Sequence, residues 1–192
     1  MNFNNSYIGS RSDIVRLVPS SATKMLDIGC STGALGARLK EVMPSLEVTG
    51  IDVNSAAAEV ARTRIDHVIV ADMDRFSLSD NFPQEAFDCI VMADLLEHLK
   101  DPWRILSEAG TIATRDATII ICVPNVRHFD TLFNLVFRGY WPYRDRGIHD
   151  RSHLRFFTRK NLMELISYSG LSLSRIETNF RIKERPPVYG DS

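Results

Sequence analysis

The stretch MLDIGCSTGALG, residues 25 to 36, constrains the fold more than any other part of the chain. An apolar run, Met25 to Ile28, leads into Gly29 and Gly33, and an amphipathic run, Ala34 to Val42, follows. Strand, tight turn and helix in that order form the repeating unit of parallel α/β sheets. The dinucleotide-binding form of this turn reads Gly-x-Gly-x-x-Gly. Here the spacing is Gly29-x-Ser31-x-Gly33, with Gly36 beyond it, so a serine occupies the middle position.

The same alternation continues. Val48 to Asp52, Val68 to Asp72, Phe87 to Met92 and Thr118 to Val123 read as further strands. Ser55 to Arg64 and a segment from Pro102 to about Thr114 read as the helices between them. Asp101-Pro102 opens the latter with a cap residue and a proline at the first helical position. A helical stretch, Phe129 to Phe137, a last helix, Thr158 to Ser169, and a strand, Leu171 to Glu177, complete the pattern. The expectation is a single α/β domain over residues 1–192: a doubly wound, Rossmann-like, mainly parallel sheet flanked by helices. Only one strand is evident after the last helix, so a seventh strand is either absent or supplied by the polar tail.

With 44% hydrophobic and 24% charged residues in 192, the chain has the balance of a soluble globular protein. A formal charge of −1 gives no overall pull toward nucleic acid. No apolar run approaches the ~20 residues of a membrane span. The start, MNFNNSYIGSRSD, lacks the apolar core of a signal peptide. Cys30, Cys89 and Cys122 are far apart and read as reduced thiols beside strands. A cytoplasmic protein is expected.

In an open parallel sheet, ligands bind beyond the carboxyl ends of the strands. Asp27, Asp52, Asp72 and Asp94 all lie at or near such ends. Asp52, about 20 residues past the glycine turn, suits the hydroxyls of a ribose. Asp72 suits the exocyclic amine of an adenine. A lone aspartate of this kind would usually be a cap or a strand end; a glycine turn with two carboxylates on successive strands points to a nucleoside ligand.

MLDIGCSTGALG, VTGIDVN, VIVADMD and FDCIVMADLLEHLKDP, in that order, resemble the successive motifs of the class I S-adenosylmethionine-dependent methyltransferases. The likeness covers about residues 5 to 177. In that family the loop faces a methionyl and ribose group instead of a pyrophosphate, so Ser31 is tolerable there, and it disfavours a nicotinamide oxidoreductase. The resemblance implies that Asp27, Gly29, Cys30, Ser31 and Gly33 line the methionine part of S-adenosylmethionine. It places Asp52 and Val53 on the ribose, Asp72 and the Met73 backbone on the adenine, and Ala93 near the sulfonium. YIGSRSDIVRLVP is similar to the amino-terminal segment that folds over the cofactor, with Tyr7 and Arg11 closing on its carboxylate; an ordinary surface helix is the alternative.

Residues 138 to 160 carry seven arginines or lysines against two aspartates, interleaved with Tyr140, Trp141 and Tyr143. Long loops in compact domains are often functional, and this one reads as an acceptor lid at about 125–156. The blander reading is a solvated loop. Residues 123 to 171 are similar to the carboxy-terminal half of bacterial methyltransferases acting on glycans or lipid-linked intermediates, and of ubiquinone-pathway O-methyltransferases. That implies a small-molecule, sugar or lipid-linked acceptor methylated at a hydroxyl. A cofactor-binding regulatory or assembly protein without turnover is the competing class.

In ADLLEHL, Asp94, Glu97 and His98 are spaced i, i+3, i+4, and a short helix there would project all three from one face. His153 lies beside the lid. The arrangement is similar to the Glu-x-x-Glu-His and distant His of metal-dependent small-RNA 2′-O-methyltransferases. It implies Asp94, Glu97, His98 and His153 as ligands of a divalent metal. The alternative weighed more heavily is that Glu97 and His98 pair with arginines and His153 packs or caps. Without a metal, His153 or His98 remains available as general base.

Overall fold

The computed structural model describes residues 11–178; Tyr7 and the polar tail lie outside them. Five strands form one parallel sheet: β1 (Lys24–Ile28), β2 (Glu47–Asp52), β3 (His67–Val70), β4 (Phe87–Ala93) and β5 (Ala113–Cys122), in the order β3-β2-β1-β4-β5. The chain steps outward from β1 to β3, then returns to lay β4 against the other side of β1. The switch point therefore falls between β1 and β4, the place where such sheets open a crevice at their carboxyl edge.

Side chains alternate across β1 and β4, so each strand feeds two cores. Leu26, Ile28, Ile90 and Met92 face α4 (Leu78–Asn81), α5 (Pro102–Ile112) and α7 (Arg159–Tyr168), meeting Leu78, Ile105, Leu106 and Leu165. Met25, Cys89 and Val91 face the other way, toward Ile14 of α1 (Ser12–Val15), Leu35 and Leu39 of α2 (Ala34–Val42), and Ala61 of α3 (Ser55–Ala61). Helices cover both faces, and the doubly wound expectation holds.

Local chemistry sets the helix starts. Asn54 Oδ1 accepts from the N–H groups of Ala56 and Ala57 to open α3. Asp101 Oδ1 accepts from Arg104 N–H at 3.1 Å, with Pro102 at the first helical position of α5. Thr158 and Asn161 form a reciprocal capping box at α7. All of these are side chain to nearby backbone, which is why the sequence announces them.

The expected strand at Leu171–Glu177 does not form; residues 171–178 have no regular structure. Leu171 packs against the core, but residues 172–175 are exposed and pair with none of the described strands. An apolar-polar alternation becomes a strand only where an edge accepts its N–H and C=O groups. β5 is consequently an edge strand among the described residues. β3 also stops at Val70, two residues short of Asp72.

Two glycines outside the turn let the layers close. A Cβ on Gly36 would stand 2.6 Å from Ile65 Cγ2 and 2.9 Å from Val48 Cγ1. On Gly50 it would stand 2.6 Å from Cys30 Sγ and 2.7 Å from Ile65 Cδ1. Gly50→Ala should therefore destabilise the chain by about 1–3 kcal/mol, the usual cost of overpacking. Cys30→Ala in the same chain should recover part of that loss in urea denaturation. Full stability of the single variant would show that the glycine loop does not press on β2.

Candidate active site

The turn after β1 holds three residues in the left-handed region: Gly29 at φ 84°, Ser31 at φ 49° and Gly33 at φ 70°. Only glycine does this freely, so Ser31 is a strained position. Two sets of hydrogen bonds impose the shape. The N–H groups of Gly29 and Cys30 both donate to Ile51 O, at 2.8 and 3.1 Å. Ser31 N–H donates to Asp52 Oδ2 at 2.7 Å, while Asn54 N–H donates to Asp52 Oδ1 at 2.8 Å. Asp52 thus fastens the first turn to the start of the second crossover.

Asp27 sits beneath this turn, 3% exposed. Burial, reinforced by Asp52 and opposed by Arg11, pushes its carboxyl up to about 7. Burial and the same two carboxylates raise the Cys30 thiol, which makes it a neutral wall of the turn. Arg11 Nη1 donates to Asp94 Oδ2 at 2.7 Å, and its Nε and Nη2 donate to the two Asp13 oxygens. Its guanidinium is therefore drawn to the β1/β4 edge, where it already bridges two carboxylates. Asp72 Oδ1 accepts from Asp74 N–H at 3.0 Å, and Met73 O accepts from Arg104. Val53 stands 68% exposed at the lip of β2, and Ala93 ends β4 beside Cys122.

A second group lies past β4. The chain leaves β4 through Asp94, which adopts φ 55°, and makes a single 3₁₀ turn at Leu96–His98. Glu97 O accepts from Leu154 N–H at 2.8 Å and from Arg155 N–H at 3.0 Å. Those two bonds draw His153 against His98, with ring centroids 4.7 Å apart and nearly perpendicular. One ligand atom from each of Glu97, His98 and His153 lies within 4.8 Å of the others. His98 Nδ1 faces Ser152 Oγ, which donates to Asp150 Oδ1 at 2.6 Å. His153 Nδ1 faces Ile148 O at 3.3 Å, which orients Nε2 as its lone-pair nitrogen.

Burial lowers both imidazole pKa values, so each ring is neutral near pH 7. Glu97 is 1% exposed, its Oε2 has no hydrogen-bond partner among the described residues, and burial followed by Asp94 pushes its carboxyl up to about 8.

The expectation that Asp94, Glu97 and His98 project from one helical face, with His153 joining them, needs correction. Asp94 is outside the group because its left-handed backbone ends any helix before Glu97, and its carboxylate turns to Arg11. Among the described residues the arginine pairing expected for His98 is not formed either; the ring faces Ser152 and His153. The Asp150–Ser152 relay was missed in the sequence, where Asp-x-Ser reads as an ordinary turn and its contact with His98 is 54 residues away. Trp141 packs edge-on against His149 and Phe156, whereas Tyr140 and Tyr143 are exposed.

A parallel sheet in this order, a strained glycine turn fastened by the β2 carboxylate and a buried aspartate at the switch point define the Rossmann-like fold of class I S-adenosylmethionine-dependent methyltransferases. The comparisons place it further: the chain belongs to the methyltransferase domain family, which it matches over residues 10–175. It is 27% identical over 170 residues to a malonyl-[acyl-carrier protein] O-methyltransferase of Geobacter sulfurreducens, covering 86% of this chain and 61% of that one. It is 25% identical over 166 residues to a demethylmenaquinone methyltransferase of Thermotoga maritima, covering 79% of this chain and 71% of that one. A methyltransferase structure from Archaeoglobus fulgidus shares the fold at a TM-score of 0.66 and 19% identity, covering 91% of this chain and 82% of that one. The chain thus spans only about three-fifths of the first of these relatives.

The raised pKa of Asp27 makes stability depend on pH. Below about 4 the group is protonated in both folded and unfolded chains. As pH rises toward 7 the unfolded chain ionises first, so stability is lost. Asp27→Asn should therefore gain more stability at pH 8 than at pH 5 in urea denaturation of the ligand-free protein. An equal gain at both values would mean that Asp27 is ionised in the fold.

Proposed function

We propose that the chain methylates a hydroxyl of a small-molecule, sugar or lipid-linked acceptor, using S-adenosylmethionine. The observation that carries this reading is the turn fastened by Asp52 over the buried Asp27. A carboxyl held near its titration point in a nearly closed site is stabilised as the anion by a nearby cation, and the cofactor's methionyl ammonium and sulfonium are cations. The left-handed turn meanwhile gives a ligand close access to backbone. Family membership and relatives named as a malonyl-[acyl-carrier protein] O-methyltransferase and a demethylmenaquinone methyltransferase support the methyltransferase class.

The cofactor supplies an electrophilic methyl group. In this reading Gly29, Cys30, Ser31 and Gly33 shape the floor under its methionyl part, with Asp27 as counter-charge. Asp52 accepts from the ribose hydroxyls, with Val53 covering that side. Asp72 and the Met73 backbone receive the adenine, and Ala93 leaves room beside the sulfonium. Arg11 closes on the carboxylate by exchanging one of its present partners. Residues 125–156 form the lid over the acceptor. The neutral Nε2 of His153, or His98, would take the hydroxyl proton; the bound cofactor would supply the methyl group, its C–S bond breaking as the O–C bond forms, and leave as S-adenosylhomocysteine.

Asp52→Ala removes hydrogen bonds to a charged group, worth about 1.5–3 kcal/mol. Calorimetric affinity for S-adenosylmethionine should fall at least tenfold with the fold retained. Unchanged affinity would remove Asp52 from the site. S-adenosylhomocysteine release with a panel of hydroxyl acceptors tests turnover. Tight cofactor binding with no release from any acceptor favours the regulatory reading.

The unpartnered Oε2 of the buried Glu97 favours a second reading of the same site. Glu97, His98 and His153 offer one oxygen and two nitrogens, a donor set that suits zinc or manganese. An ion held there would act as a Lewis acid, lowering the pKa of the acceptor hydroxyl. On this reading exhaustive chelation abolishes activity, one added-back metal restores it, and His153→Ala cannot be rescued. Full activity in chelator, with loss only in His153→Ala, leaves the general base.

A further inference from the structure

Helix α6 (Phe129–Arg138) is built inside out. Its buried residues are polar: Thr131, whose hydroxyl meets His149 Nε2 at 2.9 Å, and Asn134, whose amide donates to Asp130. Its apolar residues point to solvent. Phe129 is 77% exposed, Val136 71% and Phe137 76%, with Leu132 and Phe133 at 43% and 40%. Their spacing of i, i+3, i+4, i+7, i+8 puts all five on one face. Phe129, Phe133 and Phe137 stack into a ridge, with centroids 5.9 and 5.4 Å apart. Such a contiguous apolar surface rarely lies idle in water.

The surroundings of the ridge are cationic. Residues 127–160 carry eight arginines or lysines against three aspartates, in a chain whose formal charge is −1. Arg138 lies over the Phe133 ring at 5.7 Å. At the other end, Val126 N–H donates to Phe157 O and seats Arg127 beside the start of α7. Arg127, Arg159 and Lys160 there line a shallow groove with Met163, Glu164 and Ser167. Lys160 reaches Glu164 only loosely, at 3.8 Å.

We propose that the α6 ridge and this basic groove form one docking face for an anionic lipid bilayer, the aromatic side chains entering the acyl boundary and the groove receiving headgroup phosphates. Phe and Leu on one face with Lys and Arg at its borders is the composition of helices that lie in the membrane interface. Ten residues are too short to cross a bilayer. Among the described residues no helix is long and apolar enough to do so. Charge selects the bilayer over a second copy of the chain, because two such faces would bring like charges together. The inference requires no catalytic role for any residue.

The test is co-sedimentation of the full chain with phosphatidylcholine vesicles, with and without phosphatidylglycerol. Binding should be at least tenfold tighter to the anionic vesicles and weaken as salt rises. Phe137→Asp, and separately Arg159→Glu with Lys160→Glu, should each weaken it at least tenfold, with thermal unfolding unchanged to show that the fold is kept. No binding to anionic vesicles overturns the proposal. So does binding that Phe137→Asp leaves intact. A dimer in light scattering that Phe137→Asp dissociates assigns the ridge to a second copy and overturns it as well.

Discussion

The carboxylate of Asp52 holds two backbone N–H groups from different parts of the chain, and the cofactor edge of the sheet depends on it. One oxygen keeps Ser31 in a left-handed conformation; the other receives Asn54 N–H, whose own side chain caps α3. Hydrogen bonds to an ionised acceptor are roughly twice as strong as neutral ones. Such bonds can hold a non-glycine residue where glycine is the usual choice. The turn is thereby shaped before any ligand arrives, and Asp27 is sealed beneath it.

The cost of that arrangement appears in protonation. The Asp52 charge opposes ionisation of Asp27, which burial already disfavours, while Asp52 itself accepts from two backbone N–H groups. One carboxylate is fixed by backbone while the other is left near its titration point. This difference in environment is a common mark of ligand sites. Glu97 repeats it a few residues beyond β4: buried, raised, and with one oxygen unpartnered.

Within residues 129–153 polar contacts do much of the organising. Thr131 on His149, Arg144 on Asp130 and Ser152 on Asp150 tie parts of that segment to one another. Because those contacts use the polar side of α6, its apolar side is left facing out. The backbone bonds from Leu154 and Arg155 to Glu97 O anchor the far end. The same polar packing that brings two histidines together therefore also exposes the aromatic ridge.

Sequence by itself determined the five strands of the sheet, the glycine turn and most helix starts. Each depends on period, on a conformational freedom particular to glycine, or on a side chain capping backbone two or three residues away, as at Asn54, Asp101 and Thr158. Asp27 and Asp52 stood out as candidates because a glycine turn with carboxylates on successive strands marks the ligand edge of a parallel sheet. Tertiary structure alone decided the rest. The alternating run from Leu171 pairs with no described strand, and Asp94 left the Glu97–His98 pair when its backbone turned left-handed and Arg11 took its carboxylate. His153 reached His98 through two bonds to a single carbonyl oxygen, and α6 buried its polar face. None of these is encoded within a few residues. Each was settled by a partner distant in the chain, competing for the same hydrogen bonds or the same buried space.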